Sequence, residues 1–544
     1  MSYKTPTSQP DFQKTICLGM NMAAFLLKLV LTTFLILNIT NIIDGRSRNS
    51  KSKIRKGKNL LVISLDGFRY DFLDIAGTTT LNTLASRGVR AKSLTSSYVT
   101  KTFPNHYSIA TGLYEESHGI VTNTMWDPLW EELFFSCTDP ECGKWYGGEP
   151  IWNSNELANQ RAPGSSRQRR GSGVVYWPGA SAEINNMNIT FSEKYVDPYS
   201  NDSSYLNLRQ RFDKAISWFT DEETPVNLAM VYYEFPDKLG HIYGPESAEV
   251  NNSVRQIDTD FRYLLDRLHQ KDLYDTTNML IVSDHGFADI NGQVYLDDCI
   301  KNISEYIVIN NSPIVGIWPT NEGSDLEYLI RTLEECGDYV VHRNPSPQLQ
   351  QYHYSSNRRI APILLSTPFS PEGSSAKLII TSQAANWTNK GSHGWNNSWD
   401  RMHALFIAHG PAFHTGMIHP SFVNVNIYPL MCALLSISCP PSNGSIDAVK
   451  DMLRFELPAD EGAVFCTKVW GYYILIVCAV VVAAILNYCL YHSFKSHTSD
   501  RLKGENSKNT KYDTEHHVKY DTEHHVKYDT EHHVKYDEKH KVYL

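Results

Sequence analysis

The stretch LLVISLDG at residues 60–67 decides the fold. Its apolar residues run without alternation into Asp66, the pattern of a strand buried on both faces rather than one half exposed to water. Two later stretches end the same way. AMVYYEFPDKLGH carries Asp237 and His241, and MLIVSDHGF carries Asp284 and His285. Buried apolar strands separated by long helical stretches predict an α/β fold with a mostly parallel central sheet and helices on both faces. In such sheets ligands bind beyond the carboxyl ends of the strands. Three acids placed at strand ends can therefore converge, and the imidazoles beside them make the group resemble a metal site.

The 544 residues carry a net charge of −9, which argues against a polyanion-binding surface for a nucleic-acid polymer but leaves a nucleotide-sized ligand open. Two apolar stretches bracket the candidate body. Residues 22–37 (MAAFLLKLVLTTFLIL) suit a signal peptide or an uncleaved signal anchor, giving a targeting segment over 1–45. Residues 469–490 (VWGYYILIVCAVVVAAILNYCL) are uncharged and long enough to cross a bilayer. Basic residues follow at Lys495, Arg501 and Lys503, which places 491–544 in the cytoplasm and the body outside, as a single-pass plasma-membrane protein. Between these lie a basic linker at 46–58, a body at 59–458 and a juxtamembrane linker at 459–468.

Within the body, eight N-x-S/T triplets agree with export: Asn188, Asn201, Asn251, Asn302, Asn310, Asn386, Asn396 and Asn443. The cysteines suggest the disulfides Cys299 with Cys336 and Cys432 with Cys439, and Cys137 with Cys142 as a third candidate pair, with Cys466 left over beside the membrane. An interior loop at 161–173 is rich in Gly, Ser and Arg, and its run ending at Arg170 reads either as a processing site or as a solvated basic loop. From Lys511 the octad KYDTEHHV occurs three times, too polar to bury a core.

Residues 96–123 (SSYVTKTFPNHYSIATGLYEESHGIVTN) hold the remaining chemistry. Pro104 suits the first turn of a helix, so Thr102 falls at a helix N-terminus, where free amide N–H groups favour an anion such as phosphate. A hydroxyl there is placed for attack on phosphorus once a divalent cation lowers its pKa. The plainer role for such a threonine is helix capping.

The motifs LDGFRYDFL, KTFPNHYSIATGLYEESHGI, NTMWDP, YYEFPDKLGHIYGP, SDHGF and GSHGW occur in the order found in the ectonucleotide pyrophosphatase/phosphodiesterase family, within the alkaline-phosphatase-like superfamily. The chain resembles that family from about residue 59 to about 440, and specifically its short, single-domain members with a C-terminal anchor. The resemblance implies two zinc ions, one held by Asp66, Thr102, Asp284 and His285, the other by Asp237, His241 and His393. It also implies attack by Thr102 on a phosphodiester, a phosphothreonine enzyme, and hydrolytic release of a nucleoside 5′-monophosphate. Asn123 matches the family's donor to a non-bridging phosphate oxygen; Phe103 and Tyr195 match the aromatic pair that sandwiches a base. Trp177-Pro178-Gly179 is retained, whereas Ala180-Ser181-Ala182 departs from the family's serine and aspartate. Nucleotides or dinucleotides are the expected substrates. A choline-lipid phosphodiesterase with the same centre and an inactive surface-binding protein stand as alternatives.

Overall fold

The computed structural model describes residues 57–457 except 138, 161–170, 301, 321–324, 338, 369–375 and 385–386, together with positions 481 and 488. The N-terminal apolar segment, most of the basic linker, the Arg170 run, Asn386, Cys466, the juxtamembrane linker and the tail octads lie outside the described residues, as does the 469–490 stretch apart from two positions. Among the described residues no helix is long and apolar enough to cross a membrane.

The core is an eight-stranded sheet. Its strands are β1 (Asn59–Leu65), β2 (Val89–Ala91), β3 (Gly171–Val175), β4 (Phe191–Glu193), β5 (Val226–Tyr233), β6 (Thr277–Val282), β7 (Phe406–His409) and β8 (Met417–His419), in the spatial order β8-β2-β7-β6-β1-β5-β3-β4. Every neighbouring pair is parallel except the two that β7 makes. The sheet is mostly parallel, as expected from sequence, and mixed through the one strand β7. The cause is where β7 starts: the Leu405 carbonyl already accepts from the amide of Ser283, beyond the carboxyl end of β6. A strand entering from that end has to run back against its neighbour.

β1 is buried along its whole length, so both sheet faces are covered. Helices Leu208–Phe219 and Ala248–Gln270 pack on each other, the former also on β5. Helices Ile151–Gln160 and Ile427–Leu435 pack together, against β3 and β1 respectively. The helix Ala248–Gln270 shows why: Val250, Val254, Ile257, Phe261, Leu264 and Leu268 recur at helical spacing and are all buried.

A smaller antiparallel sheet, Tyr306–Asn311, Ile314–Pro319, Ile363–Ser366 and Val340–Arg343 in that spatial order, has its own apolar core with helix Leu326–Cys336. Disulfides join Cys137 to Cys142, Cys299 to Cys336 and Cys432 to Cys439, with Cα separations of 6.0, 5.6 and 6.2 Å. Of the triplet asparagines, Asn188, Asn201, Asn302 and Asn443 are exposed and Asn251 is half-buried. The amide nitrogens of Asn310 and Asn396 are engaged, donating to the Ile379 carbonyl (3.2 Å) and the Tyr352 hydroxyl (2.7 Å).

Candidate active site

β6, β1 and β5 lie side by side at the centre of the sheet, so the acids that follow them meet at its carboxyl edge. Asp66 follows β1 directly, and the amide of Asp237 donates to the Asp66 carbonyl at 3.1 Å. Gly67 makes this approach possible: a Cβ there would stand 2.9 Å from Cβ of Asp237, and its φ is +65°. Thr102 opens helix α1 (Thr102–Thr111) at the same edge, and its Oγ1 lies 3.4 Å from His285 Nε2. Asp237 and His241 sit one turn apart on helix α2 (Asp237–Tyr243), with His241 Nε2 3.4 Å from the Asp237 carboxylate. Gly240, a residue that disfavours helix, is nonetheless helical here. Its missing side chain makes room for the Phe287 ring, 3.1 Å from where a Cβ would stand.

All seven residues expected as ligands are thus brought together. Ligand atoms of Asp237, His241 and His393 lie within 4.8 Å of one another, and so do those of Asp66, Asp237 and His285; Asp237 faces both groups. The rings of His285 and His393 stack at 3.5 Å between centroids and join the two clusters. Asp284 completes the set, with its Oδ2 3.0 Å from His285 Nε2.

The donor chemistry fits a cation. Three buried oxygens, Asp66 Oδ1, Asp237 Oδ1 and Asp284 Oδ2, have no hydrogen-bond partner. Each imidazole turns Nδ1 to a backbone carbonyl: His285 to Gly286 (2.9 Å), His241 to Gly391 (3.0 Å) and His393 to Thr100 (2.8 Å). A proton on Nδ1 leaves the Nε2 lone pair pointing at the carboxylates, an arrangement of acceptors facing acceptors that only a positive charge satisfies. Nitrogen and oxygen donors without thiolate are a zinc-compatible set.

The electrostatics say the same. Burial, reinforced by the nearby carboxylates of Asp284 and Asp237, pushes Asp66 well above the usual aspartate range. Burial would also raise Asp284, but His285 and His106 beside it hold it down. Burial lowers His241 and His393, whereas for His285 it is outweighed by Asp284, which pushes that imidazole up. Burial apart, the upward shifts of Asp66 and His285 share one cause, the excess of negative charge at the site, which a bound cation would offset. Burial draws the Lys101 ammonium down to about 7, against the pull of Asp237, and its Nζ donates to the Ser312 carbonyl at 2.7 Å.

Around this centre Asn123 accepts the amide N–H of Phe103 on its Oδ1 at 2.9 Å, which fixes the side chain and leaves its NH₂ to donate. The Phe103 ring packs edge-on against Phe134, and the Tyr195 ring against Tyr232, whose hydroxyl donates to Asp66 at 2.6 Å. Both aromatics are half-buried beside the acids.

Residues 60–396 match the family model described as type I phosphodiesterase / nucleotide pyrophosphatase. The chain belongs to this family. Like its relatives it is a hydrolase. It is 34% identical over 421 residues to bis(5′-adenosyl)-triphosphatase ENPP4 of Homo sapiens, covering 77% of this chain and 86% of the relative. To ectonucleotide pyrophosphatase/phosphodiesterase family member 5 of Homo sapiens it is 33% identical over 406 residues, covering 74% and 79%. The solved structure of human ENPP5 superposes with a TM-score of 0.65 at 32% identity, over 73% of this chain and all of that one. Murine ENPP5, solved as an inactive variant with a threonine changed to alanine and in complex with AMP, gives 0.65 at 30% identity, with the same coverage.

Within this phosphodiesterase architecture three contributors escape a reading of the sequence. Tyr232 holds Asp66. His106, fully buried, reaches the Thr102 carbonyl (2.8 Å) and Asp284 (3.4 Å) through Nδ1 and Ser64 Oγ (2.8 Å) through Nε2. Thr100 supplies the carbonyl that orients His393. All three lie in the motif-bearing stretches, but no spacing rule singles them out.

Proposed function

We propose that the chain is an extracellular, zinc-dependent nucleotide pyrophosphatase/phosphodiesterase that works through a phosphothreonine intermediate. The observation that carries this is the facing of unpartnered carboxylate oxygens and imidazole Nε2 atoms beside a hydroxyl at a helix N-terminus. Asp66, Thr102, Asp284 and His285 would hold one cation and Asp237, His241 and His393 the other. When bound, such a pair supplies Lewis acidity to both the attacking and leaving oxygens of an in-line displacement.

The chain's own residues do the rest. Thr102 Oγ, giving up its proton to solvent, forms a bond to phosphorus as the bond to the leaving oxygen breaks, so that the phosphothreonine formed still carries the nucleoside as its 5′-ester. Water then attacks the same phosphorus, the Thr102 Oγ–P bond breaks, and a nucleoside 5′-monophosphate departs. The NH₂ of Asn123 donates to a non-bridging oxygen, where negative charge develops. Phe103 and Tyr195 offer ring faces to a base, each stack contributing about 1–3 kcal/mol. The relatives named bis(5′-adenosyl)-triphosphatase and the AMP complex of ENPP5 support nucleotides and dinucleotides as substrates. The domain plan, with a membrane span at 469–490, the body outside and glycans on its asparagines, belongs to the same proposal.

Purified ectodomain is expected to release p-nitrophenol from thymidine 5′-monophosphate p-nitrophenyl ester. Chelation should abolish this and Thr102→Ala should lower kcat by at least about 10³-fold; undiminished turnover by the alanine variant would refute the nucleophile. Parallel assays on diadenosine triphosphate, ATP, NAD and glycerophosphocholine test the substrate class, and turnover of the choline ester alone would overturn the nucleotide reading.

A further inference from the structure

The two halves of the candidate site come from distant parts of the chain. Thr102 opens α1 and His393 lies in the GSHGW segment, yet three hydrogen bonds join them through one residue, Thr100. Its carbonyl accepts from Nδ1 of His393 at 2.8 Å. Its hydroxyl donates to the Trp395 carbonyl at 2.8 Å and accepts the Gly394 N–H at 3.0 Å. Thr100 is completely buried, so no water replaces these bonds.

The peptide around Thr100 is itself clamped. Asn105, buried in α1, donates to the carbonyls of Val99 and Lys101 on either side of it, both at 2.9 Å. The Asn105 oxygen accepts from the Ser97 amide (2.9 Å), the Ser97 hydroxyl (3.0 Å) and Asn424 (2.8 Å). The amide cannot rotate without breaking several bonds at once. A rigid peptide therefore carries the nucleophile two residues on and fixes, through its own carbonyl and hydroxyl, the imidazole of the other cluster.

We propose that Thr100 is a positioning residue that sets His393 relative to Thr102, and through it the separation of the two cations. This rests on the two-cation reading above. The hydroxyl is the part that mutation can remove alone: Thr100→Val keeps the shape and the carbonyl but frees the 393–395 segment, while Thr100→Ser keeps the hydroxyl.

The test measures kcat and KM on the p-nitrophenyl ester, together with zinc titration of chelator-stripped protein. Thr100→Val is expected to lower kcat about 10–100-fold with KM within about twofold, and to weaken one of two zinc-binding steps by about tenfold. Thr100→Ser should stay within about threefold of wild type in both. Thr100→Ala gives the same expectation as valine and serves if the branched side chain prevents folding. A valine or alanine variant with wild-type kcat and wild-type zinc titration would overturn the inference, as would one whose only change is a lower Tm. Stripped wild-type protein that binds no zinc would instead overturn the two-cation reading.

Discussion

Buried carboxylates are treated in opposite ways at the sheet edge and at Asp127 and Glu234. Asp127 is completely buried, yet its oxygens accept from the amides of Leu129 and Trp130 and from the guanidinium groups of Arg358 and Arg359, at 2.7–3.2 Å. Glu234 is matched as closely by Arg211 and the hydroxyl of Tyr205. At the sheet edge, Asp66, Asp237 and Asp284 each keep one buried oxygen without a donor, and the nearest nitrogens offer lone pairs. Burying a charge is costly in either place. Where the chain supplies the counter-charge itself, the group holds the fold together. Where it supplies more acceptors, the group awaits something from outside.

Removing one partner from the matched region should have the largest effect on stability. Arg211→Met leaves Glu234 buried with only the Tyr205 hydroxyl, and is expected to cost about 3–5 kcal/mol in urea denaturation. The zinc content of the folded fraction should not change, because Arg211 touches none of the seven candidate ligands. Loss of zinc in folded Arg211→Met protein would erase the distinction between the two regions.

Asp127→Asn should cost less, about 2 kcal/mol. Burial would raise this carboxyl, but Arg358 and Arg359 hold it down at about 2, below the ordinary value of 3.8, and each tenfold change in proton affinity is worth about 1.4 kcal/mol. For a depressed carboxyl the sign is fixed: its stabilisation is present above the ordinary value and is lost as pH falls through about 2. Wild type should therefore shed this contribution between about pH 4 and pH 2, while Asp127→Asn, measured by Tm over the same window, should lack it. A wild type and variant with parallel pH profiles would remove Asp127 from the matched class.

The same contrast separates what is legible in the sequence from what is not. Asp66, Asp237 and Asp284 are readable because continuous apolar runs mark buried strands, and the ends of neighbouring strands converge by topology alone. β7 is not, since FIAH is four residues long and its direction depends on where the preceding loop leaves it. Asp127 stands in the NTMWDP motif without a visible role, because Arg358 lies 231 residues away and charge pairing across that distance leaves no pattern. Thr100 and Tyr232 are silent for a different reason. They orient His393 and Asp66 through a carbonyl and a hydroxyl, and many residue types can offer a carbonyl.

The smallest effect sharpens the comparison most, because its sign reverses. Asp66 is raised by burial and by the carboxylates beside it, so in stripped protein its contribution is most favourable below the ordinary aspartate range and is lost as pH rises through the raised value. Asp66→Asn keeps an oxygen for the Tyr232 hydroxyl and removes the charge that its neighbours oppose. Stripped Asp66→Asn protein should accordingly be more stable than stripped wild type at pH 8, by about 1 kcal/mol. In saturating zinc the order should invert, since the variant gives up a ligand and with it the stabilisation that binding to the native state confers. Asparagine at 127 destabilises with or without zinc. Urea midpoints for both variants, with and without the metal, make four comparisons, and a stripped Asp66→Asn that is less stable than wild type would place Asp66 with the structural carboxylates.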